Sequence, residues 1–99
     1  MKVEFTEEQI AIMQTALEKW GEEAQAGQTI EECAELIVAL QKQFNRISSA
    51  ETVERIIGEM ADVEMMLAQM RIVFDVDDEA YRRKIEEKFN KLDRYMKDN

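Results

Sequence analysis

A chain of 99 residues makes one domain near the lower end of sizes that bury a self-sufficient core, and a hydrophobic content of 45% separates it from a disordered acidic tail. It has no proline, and glycine occurs only at 21, 27 and 58, which predicts an all-α protein whose small core is completed by oligomerisation. The net charge of −9, from 22 acidic against 13 basic residues, excludes nonspecific binding to nucleic acid polymers or anionic membranes. A phosphorylated small molecule is still admitted, because a bound divalent cation reverses the local field.

Thr6-Glu7-Glu8-Gln9 forms a capping box, followed at helical spacing by Ile10, Met13, Ala16/Leu17 and Trp20, so a first helix is predicted over Glu7 to Trp20. Gly21 and Gly27 bracket an acidic stretch that reads either as a loop or as the opening turn of the next helix. The second helix is predicted from Thr29 to Phe44. Asn45 and Ser48-Ser49-Ala50-Glu51 mark a turn and a second capping box, and a third helix should run from Ser49 to Phe74. Asp75, Asp77 and Asp78 are placed for a helix N-terminus, and the fourth helix is expected from Asp77 to Met96. Four helices with short connections give an up-and-down, four-helix bundle-like protomer as the economical architecture.

Absence of histidine removes most nucleophilic triads, histidine general bases and His-ligated zinc sites. Cys33 is alone, which leaves no disulfide framework. With no signal peptide and no apolar run near membrane-spanning length, the expected location is cytoplasmic.

The chemistry lies in two acidic pairs, Glu32/Glu35 in IEECAEL and Glu59/Asp62 in GEMADVE, with 23 residues between Glu35 and Glu59. Carboxylates at i and i+3 share one helix face. Two such pairs face to face supply four hard oxygen ligands, suited to Mg²⁺ and also to Mn²⁺. An acidic chain forms such pairs readily, and Glu4/Glu7, Glu51/Glu54 and Asp75/Asp78 belong to helix starts or loops.

Placement favours Glu59 and Asp62. The apolar arc of the third helix is set by Ile56, Met60, Val63, Leu67, Met70 and Phe74; Glu59 falls inside its edge and Asp62 just outside. The second helix reads otherwise. Its stripe is Ile30, Cys33, Leu36, Ile37, Leu40 and Phe44, which puts Glu32 and Glu35 on the solvent side unless the third helix or another subunit packs there.

Other features read first as structure. The acidic loop at 75–78 lacks the glycine and distal glutamate of a calcium loop and is taken as capping. Met60, Met65, Met66 and Met70 read as core before they read as a binding groove, and Cys33 reads as a small core residue. Trp20 reads as a hydrophobic anchor at a helix end. The basic set Arg82, Arg83, Lys84, Lys88, Lys91 and Arg94 has two readings, pairing with Glu86, Glu87 and Asp93 or a phosphate clamp opposite the metal.

Together, Glu31-Glu32-Cys33-Ala34-Glu35 and Glu59-Met60-Ala61-Asp62 have the form EExxE…ExxD, which resembles the metal-binding signature of the MazG-like family of all-α nucleoside triphosphate pyrophosphohydrolases. WGEEAQAGQTIEECAELIVALQK, ERIIGEMADVEMML and IEEKFNKLDR resemble the surrounding family segments, so the likeness runs over roughly residues 10 to 95. The resemblance implies Mg²⁺-dependent hydrolysis of a dNTP or NTP to the monophosphate and pyrophosphate. Carried over by position, Glu32, Glu35, Glu59 and Asp62 are the implied metal ligands. Glu31 and Glu35 are the implied catalytic pair, with Glu31 orienting water. Lys88 is implied to meet phosphate, with Lys84, Lys91 and Arg94 as looser candidates, and Gln25 lies where the family places residues near substrate. A homodimer or homotetramer is implied as well. The fourth helix departs from the family in a less clear Asn/Arg pattern. The competing readings are a non-catalytic helical interaction protein and a degenerate nucleotide-binding relative.

Overall fold

A computed structural model describes residues 4–45 and 50–98. Helix α1 (Glu7–Trp20) begins at the capping box: Gln9 N–H donates to Thr6 Oγ1 (3.1 Å), and Thr6 N–H donates to Gln9 Oε1 (2.9 Å). It ends at Gly21, whose φ of 90° lies where a side chain would be strained. The Gly21 N–H caps the Leu17 carbonyl, while its own carbonyl accepts from Gln25 N–H. One residue therefore closes α1 and opens α2 (Glu22–Asn45). The second helix is longer than predicted at its start. Glu22 and Glu23 suit the positive end of its dipole, and Gly27 is carried inside it.

Helix α3 (Ala50–Val73) follows, and the capping box at 48–51 begins outside the described residues. Its C-terminus is a Schellman turn. Val76 N–H reaches the Arg71 carbonyl (2.9 Å), Asp75 N–H reaches Ile72 (3.1 Å), and Asp75 takes the left-handed position with φ 49°. Asp77 Oδ2 then accepts from Ala80 N–H at 3.0 Å and starts α4 (Asp78–Asp98). The acidic loop is thus used for capping, as expected. The protein is all-α, with four helices and no strand among the described residues.

Helices α2 and α3 form an antiparallel pair, and α1 packs across both. Among the described residues few apolar side chains are buried: Met13, Ala39, Met66 and Ala68, joined by the polar pair Gln25 and Gln69. The face of α2 turned to α3 corrects the wheel reading. Gln25, Thr29, Glu32, Leu36 and Ala39 recur at helical spacing and are buried or half-buried. Of the expected stripe, Ile30, Ile37 and Phe44 are 72%, 57% and 81% exposed. Ala39, fully buried, lets the two backbones approach on this small and polar face. The apolar stripe is left over for another surface.

Helix α4 packs against none of the other three helices among the described residues, so the protomer is a three-helix unit with a projecting fourth rather than a closed bundle. Its root is tied by the Arg71 guanidinium over the Tyr81 ring at 5.1 Å. The radius of gyration is 16.2 Å, against about 13 Å for a globular domain of this length. The surface is 8280 Å², where a compact monomer of this mass exposes about 5,800 Å².

Candidate metal and phosphate site

Three polar pairings run along the α2–α3 seam: Gln25 with Gln69, Glu32 with Asp62, and Glu35 with Glu59. Numbers rise on one helix as they fall on the other, in steps of seven and then three on both, as an antiparallel register requires. Carboxylate oxygens of Glu32, Glu59 and Asp62 lie within 4.8 Å of one another, and all three side chains are half-buried. Oxygens on opposite sides of a Mg²⁺ octahedron stand about 4.2 Å apart, so small side-chain adjustments close the set on an ion.

Glu35 stands at the edge of this triad, facing Glu59. Glu31 is exposed one turn earlier on the helix, close enough for its charge to act on Glu35. Of the five acids singled out by the sequence pattern, the fold brings three together, sets Glu35 at their edge and leaves Glu31 exposed.

The electrostatics are those of a cluster short of positive charge. Gln28 Nε2 donates to Glu32 Oε1 at 2.8 Å, which favours the carboxylate; lost hydration and the charges of Glu35 and Asp62 outweigh it, and Glu32 is raised above its ordinary value. Glu35 is raised by lost hydration first, then by Glu59 and Glu31. Glu32 Oε2 and Glu59 Oε2 are shut from solvent and have no hydrogen-bond partner among the described residues. Buried polar atoms are rarely left so. An oxygen-only donor set with two such orphans fits a hard divalent cation.

Beside the cluster lies a cleft of about 620 Å³, lined by residues of α1, α2 and α3 that include Trp20, Gln25, Gln28, Met65, Met66 and Gln69. Gln28 belongs both to its wall and to the bond on Glu32, which joins the two sites. At its base Gln25 Nε2 donates to Gln69 Oε1 (2.7 Å), and Gln69 Nε2 donates to the Met66 sulfur at 3.7 Å, a weak acceptor.

Trp20 is not a buried anchor: it is 59% exposed at the rim, with Lys19 Nζ 5.4 Å from its ring centre. Met66 is core, whereas Met60 and Met65 are exposed. Cys33 is half-buried. Gln28 and Gln69 are not singled out by the acidic motif, although their spacing holds the signal. Gln28 precedes Glu32 by one turn, and Gln69 follows Asp62 by two.

Lys84, Lys88, Lys91 and Arg94 lie exposed on α4, away from the acids of their own chain's α2–α3 seam. Pairing within α4 takes Arg83 to Glu79, Lys84 to Glu87 and Lys97 to Asp93. No protein-family model, curated protein or solved structure matches this chain. Among the described residues, no helix is long and apolar enough to cross a membrane.

Proposed function

We propose that this chain is a Mg²⁺-dependent nucleoside triphosphate pyrophosphohydrolase of MazG-like type, acting as a homo-oligomer. The observation that carries the reading is the convergence of Glu32, Glu59 and Asp62 from two helices onto one point, with Glu35 adjoining and two carboxylate oxygens orphaned. These four acids would hold the ion. When bound, Mg²⁺ neutralises triphosphate oxygens and eases deprotonation of the attacking water.

The remaining work falls to the chain itself. Glu35, its affinity for a proton raised by its surroundings, accepts the proton of that water at a carboxylate oxygen as the α–β anhydride bond breaks. Nucleoside monophosphate and pyrophosphate leave. Glu31, one helical turn away, orients the water. The cleft takes the base: Trp20 offers a stacking face, and the Gln69 amide, poorly satisfied by sulfur, offers a donor to a base edge. Gln25 fixes that amide.

The test is pyrophosphate release from a panel of dNTPs and NTPs with Mg²⁺, with Mn²⁺ and with EDTA. Metal-dependent release supports the reading, and silence across the panel from folded protein overturns it.

One observation favours a second reading, a non-catalytic oligomerisation module: large apolar side chains are exposed on every helix. Such a module would show no change in melting temperature on adding Mg²⁺ or Mn²⁺.

A further inference from the structure

Two buried amides, Gln25 and Gln69, meet at the base of the cleft. Such a pair can join in two senses, and turning both groups over exchanges a donor for an acceptor at the free end. The neighbour decides between them. Gln69 Nε2 lies 3.7 Å from the Met66 sulfur, and Met66 is only 2% exposed, so that sulfur is held in the core. A thioether accepts weakly and has no hydrogen to give. The nitrogen of the Gln69 amide therefore belongs beside it, the Gln69 oxygen takes the Gln25 N–H at 2.7 Å, and the pair is set in one sense. A buried N–H bonded to sulfur is poorly satisfied, and it gains from an oxygen acceptor that a ligand brings.

Position decides which edge of a base arrives there. Gln25 precedes Glu32 on α2, and Gln69 follows Asp62 on α3, by the same two helical turns. At 1.5 Å per residue the amide pair stands about 10 Å from the acids along both helices. Gln28, bonded to Glu32 and lining the cleft, lies between them. A nucleotide with its phosphates at the acids thus turns toward the amide pair the base edge farthest from the glycosidic bond. In a pyrimidine that edge carries the C4 substituent, and in a purine the C6 substituent. Uracil, thymine, guanine and hypoxanthine present a carbonyl oxygen there, whereas cytosine and adenine present an amino group. An amino group against the Gln69 –NH₂ sets two donors face to face and leaves both unpaired.

We infer that the cleft selects nucleotides of 4-keto pyrimidines and 6-keto purines, with Gln69 as the donor that discriminates. Gln25 and Met66 are positioning residues that hold its amide in that sense. The placement of the phosphates rests on the hydrolase reading; the sense of the amide pair stands on the packing of the seam alone.

Two pairs of nucleoside monophosphates that differ at that edge, UMP against CMP and IMP against AMP, test it by calorimetry with Mn²⁺ present. UMP and IMP should each bind about tenfold tighter than their partners, the effect of one buried hydrogen bond made rather than lost. Equal affinities, a preference for CMP and AMP, or no binding by any of the four overturns the inference. Two variants assign the donor. Gln25→Leu with Gln69→Leu removes the amide pair, and Met66→Leu keeps the core volume while releasing the pair to turn over. Both ratios should fall toward unity in each variant, whereas a merely structural role would weaken all four nucleotides alike. A keto preference that survives both variants, in chains shown by melting to be folded, overturns the assignment to Gln69. Pyrophosphate release is read separately: its absence with the preference intact overturns only the hydrolase reading.

Discussion

Gly21 and Gly27 bracket the same acidic stretch and have opposite requirements. Gly21 holds φ 90° as the whole connection between α1 and α2, so Gly21→Ala should destabilise by about 1–2 kcal/mol. Gly27 sits in regular helix, where an added Cβ would meet no atom within 4 Å, so Gly27→Ala should stabilise by about 0.4–1 kcal/mol. Urea titrations of the two variants check both signs. The acidic residues give a second pair of expectations. Glu32 and Glu35 bind protons more tightly in the folded chain than in the unfolded one, so metal-free protein loses stability as pH rises through their raised range and regains it as pH falls toward the ordinary 4.5. Melting in EDTA should fall as pH is raised from the ordinary carboxylate range toward neutrality, and Glu32→Gln with Glu35→Gln should flatten that slope. An unchanged slope in the double variant would place the pH response elsewhere. For the same reason Asp62→Asn should melt higher than wild type in EDTA and should lose the rise in melting temperature that Mg²⁺ is expected to give the wild type.

At the scale of the helices, the ends were legible and the faces only partly so. The capping box at Thr6 and the aspartates at 75–78 are local signals that act within one turn, and they placed α1 and the start of α4 to within a residue. The wheel of α2 misled because it assumes that the most apolar stripe meets the nearest helix. Here α3 instead meets Gln25, Glu32 and Ala39, since Ala39 permits close approach and the polar groups find partners across the seam. The two acidic motifs were therefore readable as residues, whereas their meeting depended on a packing choice that periodicity does not encode. The Gln25–Gln69 pair measures that choice. Gln69→Leu alone strands a buried amide and should cost about 1–3 kcal/mol, whereas Gln25→Leu with Gln69→Leu should be nearly neutral. A double-mutant cycle by chemical denaturation gives the coupling, and a coupling near zero would mean that the bond does not hold the register.

At the scale of the whole molecule, the described residues bury little apolar core. Four buried apolar side chains among the described residues and a surface of 8280 Å² leave the exposed stripes of α2 and α4 as a large unused source of stabilisation. Most helical stability in proteins comes from packing of an amphipathic face, so α4 should gain stability when its stripe is covered. In the homo-oligomer proposed for this chain, folding is coupled to association. Each tenfold dilution removes about 1.4 kcal/mol per mole of complex, enough to lower the melting temperature of a domain this small by about a few degrees. Leu92 lies near the middle of the α4 stripe, and an aspartate there cannot be covered by an apolar face without a large desolvation cost. Leu92→Asp should therefore give a monomer by light scattering, with lower helical ellipticity and no dependence of melting on concentration. The acidic seam lies within a single α2–α3 pair, so this monomer should still bind Mn²⁺ in calorimetry. Loss of metal binding together with the oligomer would show that the carboxylates are held in place by the second copy rather than by α3.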